Sequence, residues 1–137
     1  MVFIKCDDRE KPEVLKILKD IGVSVIKCRM NEGDYIWRDK ICVERKSIDD
    51  FCGSIMDGRL SSQIEKMKSK YSNVIILISG KISERTSEIH ENCILGKMAS
   101  IIVKHKVNII QIDNDKQLAY IMKRIFERYE EDEKNEK

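Results

Sequence analysis

The sequence predicts an α/β domain whose central mixed sheet is largely parallel, includes one antiparallel hairpin and carries helices on both faces. Short apolar runs alternate with segments of helical periodicity along the chain, which is the pattern of strands connected by helices. The chain has 137 residues, 42% of them hydrophobic, and a single proline. This length and composition fit one folded domain with one hydrophobic core. We therefore expect one domain over residues 1–130 and an acidic, disordered tail over residues 131–137.

The predicted strands are runs of apolar and β-branched residues bounded by charged residues, glycine or turn signals. In chain order they cover residues 2–6, 23–28, 35–37, 40–46, 74–79 and 107–112. The third and fourth runs flank the polar pair Arg38-Asp39, which predicts a β-hairpin. The fifth run is apolar throughout and ends at Gly80, as expected for a strand that is covered on both faces of the sheet.

The predicted helices repeat apolar residues at spacings of three and four. In chain order they cover residues 13–20, a segment that begins near residue 51, and residues 60–70, 93–105 and 116 to about 129. Gly22 ends the first helix, and Asp49 or Asp50 is expected to cap the second. The fourth helix is apolar on more than one face, which predicts burial nearly all round or between two subunits. Residues 81–91 are polar and receive no assignment.

Composition and charge exclude several classes of protein. The five cysteines are odd in number and never spaced as CxxC, which argues against a disulfide framework or a structural zinc site and predicts a reducing, cytoplasmic location. No apolar run approaches the roughly twenty residues that span a bilayer, so no membrane role is expected. Residues 127–137 hold six acidic and three basic residues, which leaves the rest of the chain at +5. A basic body that contains a cluster of acids suits an anionic ligand held near a metal, although a solvated mixed-charge surface is commoner.

The most informative segment runs from Gly33 to Lys46. Because successive side chains of a strand point to opposite faces, Glu44 and Lys46 share one face while Arg45 points to the other. If Asp34 opens the first strand of the hairpin, its carboxylate lies beside Glu44. Converging carboxylates need a cation, and a hard divalent ion accepts both oxygen ligands and substrate phosphate. Lys46 could then orient a water or stabilise phosphate charge, as phosphodiester hydrolysis requires. Taken alone, the fragment also fits an exposed, salt-bridged hairpin.

The wider context of this segment resembles the XPF/Hef structure-specific endonucleases, a branch of the PD-(D/E)XK superfamily, and is most similar to the archaeal Hef type. The matching stretches are Asp7-Asp8-Arg9-Glu10 for D-x-R-E, Gly33-Asp34 and Glu44-Arg45-Lys46-Ser47-Ile48-Asp49-Asp50 for GD…ERKxxxD, and Ser54-Ile55-Met56-Asp57-Gly58-Arg59-Leu60 with Gln63 for S-x-x-D-G-R-L-x-x-Q. Several ordered motifs are far more specific than any one of them. The resemblance implies a restriction-endonuclease-like fold.

The resemblance also implies roles for individual acidic and basic residues. Asp34 and Glu44 would bind Mg²⁺ or Mn²⁺, and Asp7 would complete the acidic cluster. Lys46 would be the catalytic lysine. With the family motifs in place, a plain salt-bridged hairpin is the weaker interpretation of these residues.

Five further positions match the family's motifs. Arg9 and Arg45 would bind phosphate or organise the site. Asp50 would support the active site, or simply cap a helix. Arg59 and Gln63 would contact the DNA backbone, or pack a helix.

The function that the resemblance implies is cleavage of one strand near the branch point of forked or flapped DNA, in repair or replication-fork processing. Such an enzyme would be associated with the nucleoid. Members of the family often carry helix-hairpin-helix motifs or a helicase, and neither fits in these 137 residues. We therefore expect either a domain excised from a longer protein or a stand-alone nuclease that takes its DNA recognition from a separate DNA-targeting or helicase partner. Two alternatives remain within the fold: an inactive, DNA-binding scaffold subunit and a nuclease that resolves Holliday junctions.

The chain is also expected to form a homodimer through residues 93–129. This part of the sequence offers more apolar surface than a sheet of this size needs, and family members pair through the corresponding region. A two-fold interface would place Ile102 and Met122 close to the symmetry axis.

Overall fold

The computed structural model describes residues 2–135, in which six strands form one mixed sheet. The strands are β1 (Phe3–Asp7), β2 (Ser24–Cys28), β3 (Tyr35–Trp37), β4 (Ile41–Ser47), β5 (Asn73–Ser79) and β6 (Asn108–Ile112). The helices are α1 (Pro12–Asp20), α2 (Ile48–Met56), α3 (Leu60–Lys70), α4 (Glu91–Ser100) and α5 (Asp115–Asn135), with a 3-10 turn at Ile82–Glu84 and a π-helical segment at Ile101–His105.

The order of strands across the sheet is β2-β1-β3-β4-β5-β6. Strand β3 is antiparallel to both of its neighbours, β1 and β4, while the other neighbouring strands are parallel. The first residue of β3, Tyr35, pairs with Cys6 near the end of β1 and with Val43 in β4. The start of β3 therefore lies between the carboxyl end of β1 and the middle of β4, and residues from three strands meet there.

Helices cover both faces of the sheet, as the sequence predicts. Helices α1 and α5 pack on one face, around Leu18, Trp37 and Phe126. Helices α2, α3 and α4 pack on the other face, around Phe51 and Ile76. Both cores use the alternation of buried side chains along β5 and the first three residues of β4, so this central part of the sheet is apolar on both faces, whereas β4 becomes charged from Glu44 onward.

The start of α2 differs from the prediction. The helix begins at Ile48 rather than near Phe51, and its N-cap is Ser47, whose hydroxyl oxygen accepts a hydrogen bond of 3.0 Å from the backbone N–H of Asp50. The predicted caps, Asp49 and Asp50, are wrong because both lie within the first turn. Strand β4 runs into α2 without a loop, so the last residue of the strand is also the cap.

The last helix is longer than predicted. It continues to Asn135, so residues 131–135, expected to be disordered, are helical. Glu133 binds Arg38 and Lys40 of the β3–β4 hairpin, the latter with an Nζ–Oε1 distance of 2.9 Å. These contacts hold the end of α5 against the sheet. Residues 136 and 137 of the predicted tail lie outside the described residues.

Two expectations about the C-terminal half also change. The predicted helix over 93–105 begins at Glu91, becomes π-helical at Ile101 and ends at Lys106, which adopts a left-handed conformation. Met122, expected near a two-fold axis, is fully buried in the core between α5 and the sheet and is unavailable to a partner. Along residues 2–135, no helix combines the length and hydrophobicity needed to cross a membrane.

Candidate active site

The acids singled out by the sequence meet at the junction of β1, β3 and β4. Asp7 is the last residue of β1, Asp34 immediately precedes β3, and Glu44 lies within β4. Backbone hydrogen bonds fix the junction: the N–H of Asp7 donates to the carbonyl of Asp34, and the N–H of Asp34 donates to the carbonyl of Val43, both at 2.9 Å. The sequence argument that a hairpin brings Asp34 beside Glu44 is therefore correct.

Gly33 is required at the turn that precedes Asp34. Its φ of +79° is a conformation that residues with a side chain rarely adopt. A Cβ at this position would also lie 2.2 Å from the sulfur of Cys42 on β4. The glycine of the Gly33-Asp34 motif thus lets the chain approach β4 closely enough to place the carboxylate of Asp34.

The carboxylates of Asp34 and Glu44 are in contact and compete for ionisation. Burial, followed by the charge of Glu44 and a hydrogen bond shared with it, raises the pKa of Asp34 to about 9. The backbone N–H of Arg45 donates to Asp34 Oδ2 at 2.8 Å and partly offsets this effect. Because the two carboxylates are adjacent and Asp34 has a raised pKa, a proton or a cation is needed between them.

Lys46 lies on the same face of β4 as Glu44, as strand alternation predicts. Its buried ammonium Nζ is 3.6 Å from Glu44 Oε2. Glu44 contacts both Asp34 and Lys46, so its carboxylate links the three side chains into one cluster. A buried lysine beside a carboxylate pair can neutralise negative charge that develops nearby.

Asp7 reaches the same cleft but is held by Arg9. Arg9 Nε lies 3.2 Å from both carboxylate oxygens of Asp7, and a terminal guanidinium nitrogen donates to Oδ2 at 2.9 Å. Burial tends to raise the pKa of Asp7, but the hydrogen bonds and charge of Arg9 outweigh it and leave the pKa below its ordinary value. Arg9 also donates to the carbonyl of Met30 at 2.7 Å, which ties it to the cleft wall.

The three acids do not form a ready ligand set. Within residues 2–135, no group of three or more histidine, cysteine, aspartate or glutamate side chains is placed to hold a metal ion. Asp34 and Glu44 fit a divalent cation, because they are adjacent carboxylates whose mutual repulsion such an ion would remove. Asp7 has both carboxylate oxygens engaged by Arg9, and in this arrangement it is a neighbour of the pair rather than a third ligand.

Arg45 points away from this cleft. On the opposite face of β4, its Nε donates to Glu10 Oε2 at 2.7 Å and a terminal nitrogen donates to Oε1 at 3.1 Å. The two side chains are only 15% and 5% exposed, and Asp115 at the start of α5 lies 4.0 Å from the guanidinium. Burial opposes the charge of Arg45, but hydrogen bonds and the charge of Glu10 raise its pKa above the ordinary value. A direct catalytic role for the Arg45 side chain is therefore not compatible with its position. Its backbone N–H, by contrast, donates the hydrogen bond to Asp34 Oδ2.

Glu10 is the functional residue that the sequence analysis leaves without a role. It closes the turn after β1 by donating its N–H to the Asp7 carbonyl at 3.0 Å, and it anchors Arg45 through its side chain. Two features of the sequence point to Glu10: its place in the Asp7-Asp8-Arg9-Glu10 motif, and the alternation of β4, which turns the Arg45 side chain away from the acids.

The cleft itself has a volume of about 290 Å³ and is mostly polar. Its walls are formed by Asp7, Arg9, Met30, Asn31, Glu32, Gly33, Asp34, Glu44, Gln63, Lys66 and Met67. Gln63, predicted to contact the DNA backbone or to pack a helix, lines this cleft, and its side-chain oxygen has no hydrogen-bond partner among the described residues. Lys66, on the same helix, was not predicted.

The structure does not bring Asp50 and Arg59 to the acids. Asp50 is exposed in the first turn of α2, where its backbone N–H is bound by the Ser47 cap. Arg59 is exposed before α3 and pairs with Asp57. Neither residue lines the cleft that holds Asp34 and Glu44.

Comparison with known proteins identifies the family to which this chain belongs. Residues 6–125 match the ERCC4 domain. The chain is 30% identical to the 3'-flap repair endonuclease Xpf of Saccharolobus solfataricus over 95% of its length, and 31% identical to the DNA repair endonuclease XPF of Mus musculus over 80%. It spans 57% of the first protein and 12% of the second.

A solved structure supports the same relationship. The chain is 28% identical to XPF from Aeropyrum pernix in complex with DNA, with a TM-score of 0.88 over 96% of this chain and 66% of that one. The sheet order, the helices on both faces and the acid-lined cleft are accordingly those of a restriction-endonuclease-like nuclease domain. The chain belongs to the ERCC4 domain family, as a nuclease domain of the XPF type.

Proposed function

We propose that this chain is a metal-dependent DNA endonuclease that cuts one strand of forked, flapped or branched DNA near the junction, in repair or replication-fork processing. The observation that carries the proposal is the Asp34–Glu44 carboxylate pair, adjoined by buried Lys46, in an open polar cleft. The names of the relatives support it, since they include a 3'-flap repair endonuclease and an XPF in complex with DNA.

Asp34 and Glu44 are the residues that would hold Mg²⁺ or Mn²⁺. A divalent ion bound there would activate water and stabilise the charge on the phosphate. The backbone N–H of Arg45 orients the Asp34 carboxylate, and the Glu10–Arg45 pair anchors that part of β4 from the other face of the sheet. Lys46 offers its positive charge next to Glu44, where negative charge on the scissile phosphate would develop.

The alternatives within this fold are less consistent with the site. A scaffold subunit would have no need for two buried carboxylates in contact, because their repulsion costs stability. A resolvase of Holliday junctions could use the same carboxylates, so substrate choice is what separates it from a fork or flap endonuclease.

A homodimer through residues 93–129 remains part of the proposal. The apolar side chains Leu95, Ile102 and Val103 are exposed beside the edge strand β6. We also propose that a separate DNA-targeting or helicase partner contributes to the recognition of branched DNA. We expect the protein to act at nucleoid DNA.

Cleavage of end-labelled DNA by the purified chain tests the proposed function. Forks, flaps, four-way junctions and plain duplex are incubated with Mn²⁺, with Mg²⁺ and with a chelator. Cuts near the branch of forks or flaps are expected with either metal and not with the chelator. Glu44→Gln and Lys46→Ala should abolish cleavage while circular dichroism shows a folded chain.

Some results would contradict the proposal. Cleavage in the presence of chelator, or activity in either variant within a few fold of the unaltered chain, would remove this site from the reaction. Symmetric cleavage of four-way junctions alone would favour the resolvase.

A further inference from the structure

Apart from Asp34, whose carboxylate contacts Glu44, the charged side chains that line the cleft are ion-paired, with one exception among the residues that the structure describes. Arg9 neutralises Asp7, Lys46 adjoins Glu44, and Lys70 lies 2.7 Å from Glu32. Lys66 lines the same cleft and has no ion pair or side-chain hydrogen bond within residues 2–135.

Lys66 is distinct from the other lysines near the end of α3. The Nζ of Lys68 donates to the carbonyl of His105, and Lys70 is bound to Glu32. Both of these lysines therefore serve contacts within the fold. Lys66 alone among the three faces the cleft with a charge that nothing in the described chain neutralises.

Gln63 lies one turn before Lys66 on the same side of α3. Its side chain makes no hydrogen bond within residues 2–135: the oxygen, an acceptor, is buried without a donor, and the amide nitrogen Nε2 is the group that can donate to a ligand in the cleft. The helix itself is rigidly placed, because Leu60, Ile64 and Met67 are buried in the core under α3. The lining of the cleft thus includes a cation and an amide from α3 as well as the carboxylates of Asp34 and Glu44.

A DNA strand that enters this cleft needs positive charge near each phosphate that lies in it. The carboxylates would repel its phosphates, and a cation held by Asp34 and Glu44 would attract only the phosphate in contact with it. The neighbouring phosphate of the same strand requires another partner. An ammonium group on a flexible stem is well suited to a phosphate oxygen, and a glutamine amide can donate to a phosphate oxygen beside it.

We propose that Lys66, with Gln63, forms a binding site for a backbone phosphate of the DNA strand next to the phosphate that is cut. The two side chains are the contribution of α3 to the cleft that Asp34 and Glu44 also line. This inference rests on the proposed endonuclease function and adds the position of the strand across the cleft. Lys66 binds without regard to sequence, because a phosphate carries no base information.

The test compares Lys66→Gln with Lys16→Gln, which makes the same change of charge on exposed α1, away from the cleft. Binding of a fluorescein-labelled fork is measured by anisotropy at several salt concentrations, and cleavage is measured under single-turnover conditions over a range of protein concentrations. Loss of one phosphate contact should lower the slope of log affinity against log salt by about 1. Lys16→Gln should leave the slope as in the unaltered chain.

Lys66→Gln should raise the half-saturating protein concentration several-fold and should change the cleavage rate at saturation less. Lys66→Arg should restore the salt slope, since it restores the charge. Gln63→Leu should raise the half-saturating concentration without changing the salt slope, because the amide is neutral.

Two results would overturn the inference, and they are distinguishable. If the unaltered chain cleaves the fork and Lys66→Gln has the same salt slope and half-saturation as Lys16→Gln, the phosphate site is wrong while the endonuclease stands. If the unaltered chain neither binds nor cuts any branched DNA with Mn²⁺, the proposed function fails and this site fails with it.

Discussion

Asp34 is the residue whose ionisation depends most directly on what occupies the cleft. Its pKa is raised from 3.8 to about 9, first by burial and then by Glu44, so between these values the folded chain retains a proton that the unfolded chain releases. The free energy of unfolding therefore falls as pH rises through that window. This contribution is opposite in sign to that of a salt-bridged aspartate such as Asp7, whose pKa is lowered.

We expect the metal-free chain to melt at lower temperature at about pH 8 than at about pH 6, and Asp34→Asn to reduce this difference. Mn²⁺ should also reduce it in the unaltered chain, because the cation replaces the proton between the carboxylates. Thermal melts at both pH values, with and without metal, measure the effect. Equal pH dependence in the chain and in Asp34→Asn would show that the carboxylate pair is not the source.

The Glu10–Arg45 pair is a second place where charge determines stability. Arg45→Ala would leave buried Glu10 without its partner, and removal of one member of such a pair costs about 3–5 kcal/mol. The matched control is Arg124→Ala, which breaks an exposed pair with Glu127 and should cost at most about 0.5 kcal/mol. Urea denaturation gives both values.

The double change Glu10→Gln with Arg45→Gln should recover part of the lost stability, because no uncompensated charge remains. If Arg45→Ala were no more destabilising than Arg124→Ala, the pair would not be the anchor of β4.

The alternation of β4 predicts the face on which Arg45 lies, but not its partner. Glu10 is brought there by the turn after β1, and a single sequence does not reveal that long-range contact.

The hairpin is the element that builds the site, and its two ends are shaped by backbone conformation. At the tight end, residues 38–40 connect the strands, and Arg38 and Asp39 have positive φ as the two central residues of a β-turn closed by a hydrogen bond of 3.0 Å from the Lys40 N–H to the Trp37 carbonyl. At the other end, Gly33 brings the chain against Cys42 on β4. The position of Asp34 therefore depends on Gly33, which has no side chain that could take part in the reaction.

Gly33→Ala should lower the stability of the chain and impair cleavage, because the added methyl group clashes with Cys42 and the left-handed conformation is strained. Gly53→Ala is the matched control, because this glycine lies in α2 and no atom lies within 4 Å of the place that an added methyl group would occupy. In that helix the change should stabilise by about 0.5–1 kcal/mol. Melting temperatures and cleavage rates distinguish the two, and a neutral Gly33→Ala would mean that the turn relaxes freely.

The elements that were predicted well are those with a strong local signal. Strand β5 is apolar throughout, and α1 has both its amphipathic period and the Pro12 and Gly22 signals at its ends. The start of α2 and the end of α5 were not predicted because they depend on tertiary contacts. Ser47 caps a helix that follows a strand directly, and Glu133 is held by residues of a distant hairpin.

At the scale of the whole molecule, the two edges of the sheet differ in what lies beside them. Strand β6 is one edge, and next to it a cavity of about 370 Å³ is lined by Ile102, Ile109, Ile125 and Tyr129, among others. Ile102 and Val103 are 52% and 72% exposed. An apolar surface of this kind beside an unpaired strand edge favours association with a second copy.

Sequence periodicity predicted a dimer surface over residues 93–129 but could not divide its apolar residues between partner and core. Met122 belongs to the core and Ile102 to the surface, because α5 packs Met122 against the sheet while the π-helical segment leaves Ile102 exposed. The choice of residue for a test follows from this division. A charge at Met122 would unfold the chain, whereas a charge at Ile102 would act on assembly alone.

We expect the chain to sediment as a dimer of twice its 16.0 kDa mass, and Ile102→Glu to sediment as a folded monomer. An interface of about 800 Å² per partner would not tolerate a desolvated carboxylate at its centre. Ile26→Glu is the matched control, because Ile26 is similarly exposed but lies on β2, at the opposite edge of the sheet, and the dimer should persist. Sedimentation velocity at tens of micromolar gives the masses, and circular dichroism verifies that both variants fold. A monomeric unaltered chain, or equal masses for the two variants, would place the partner surface elsewhere on the molecule.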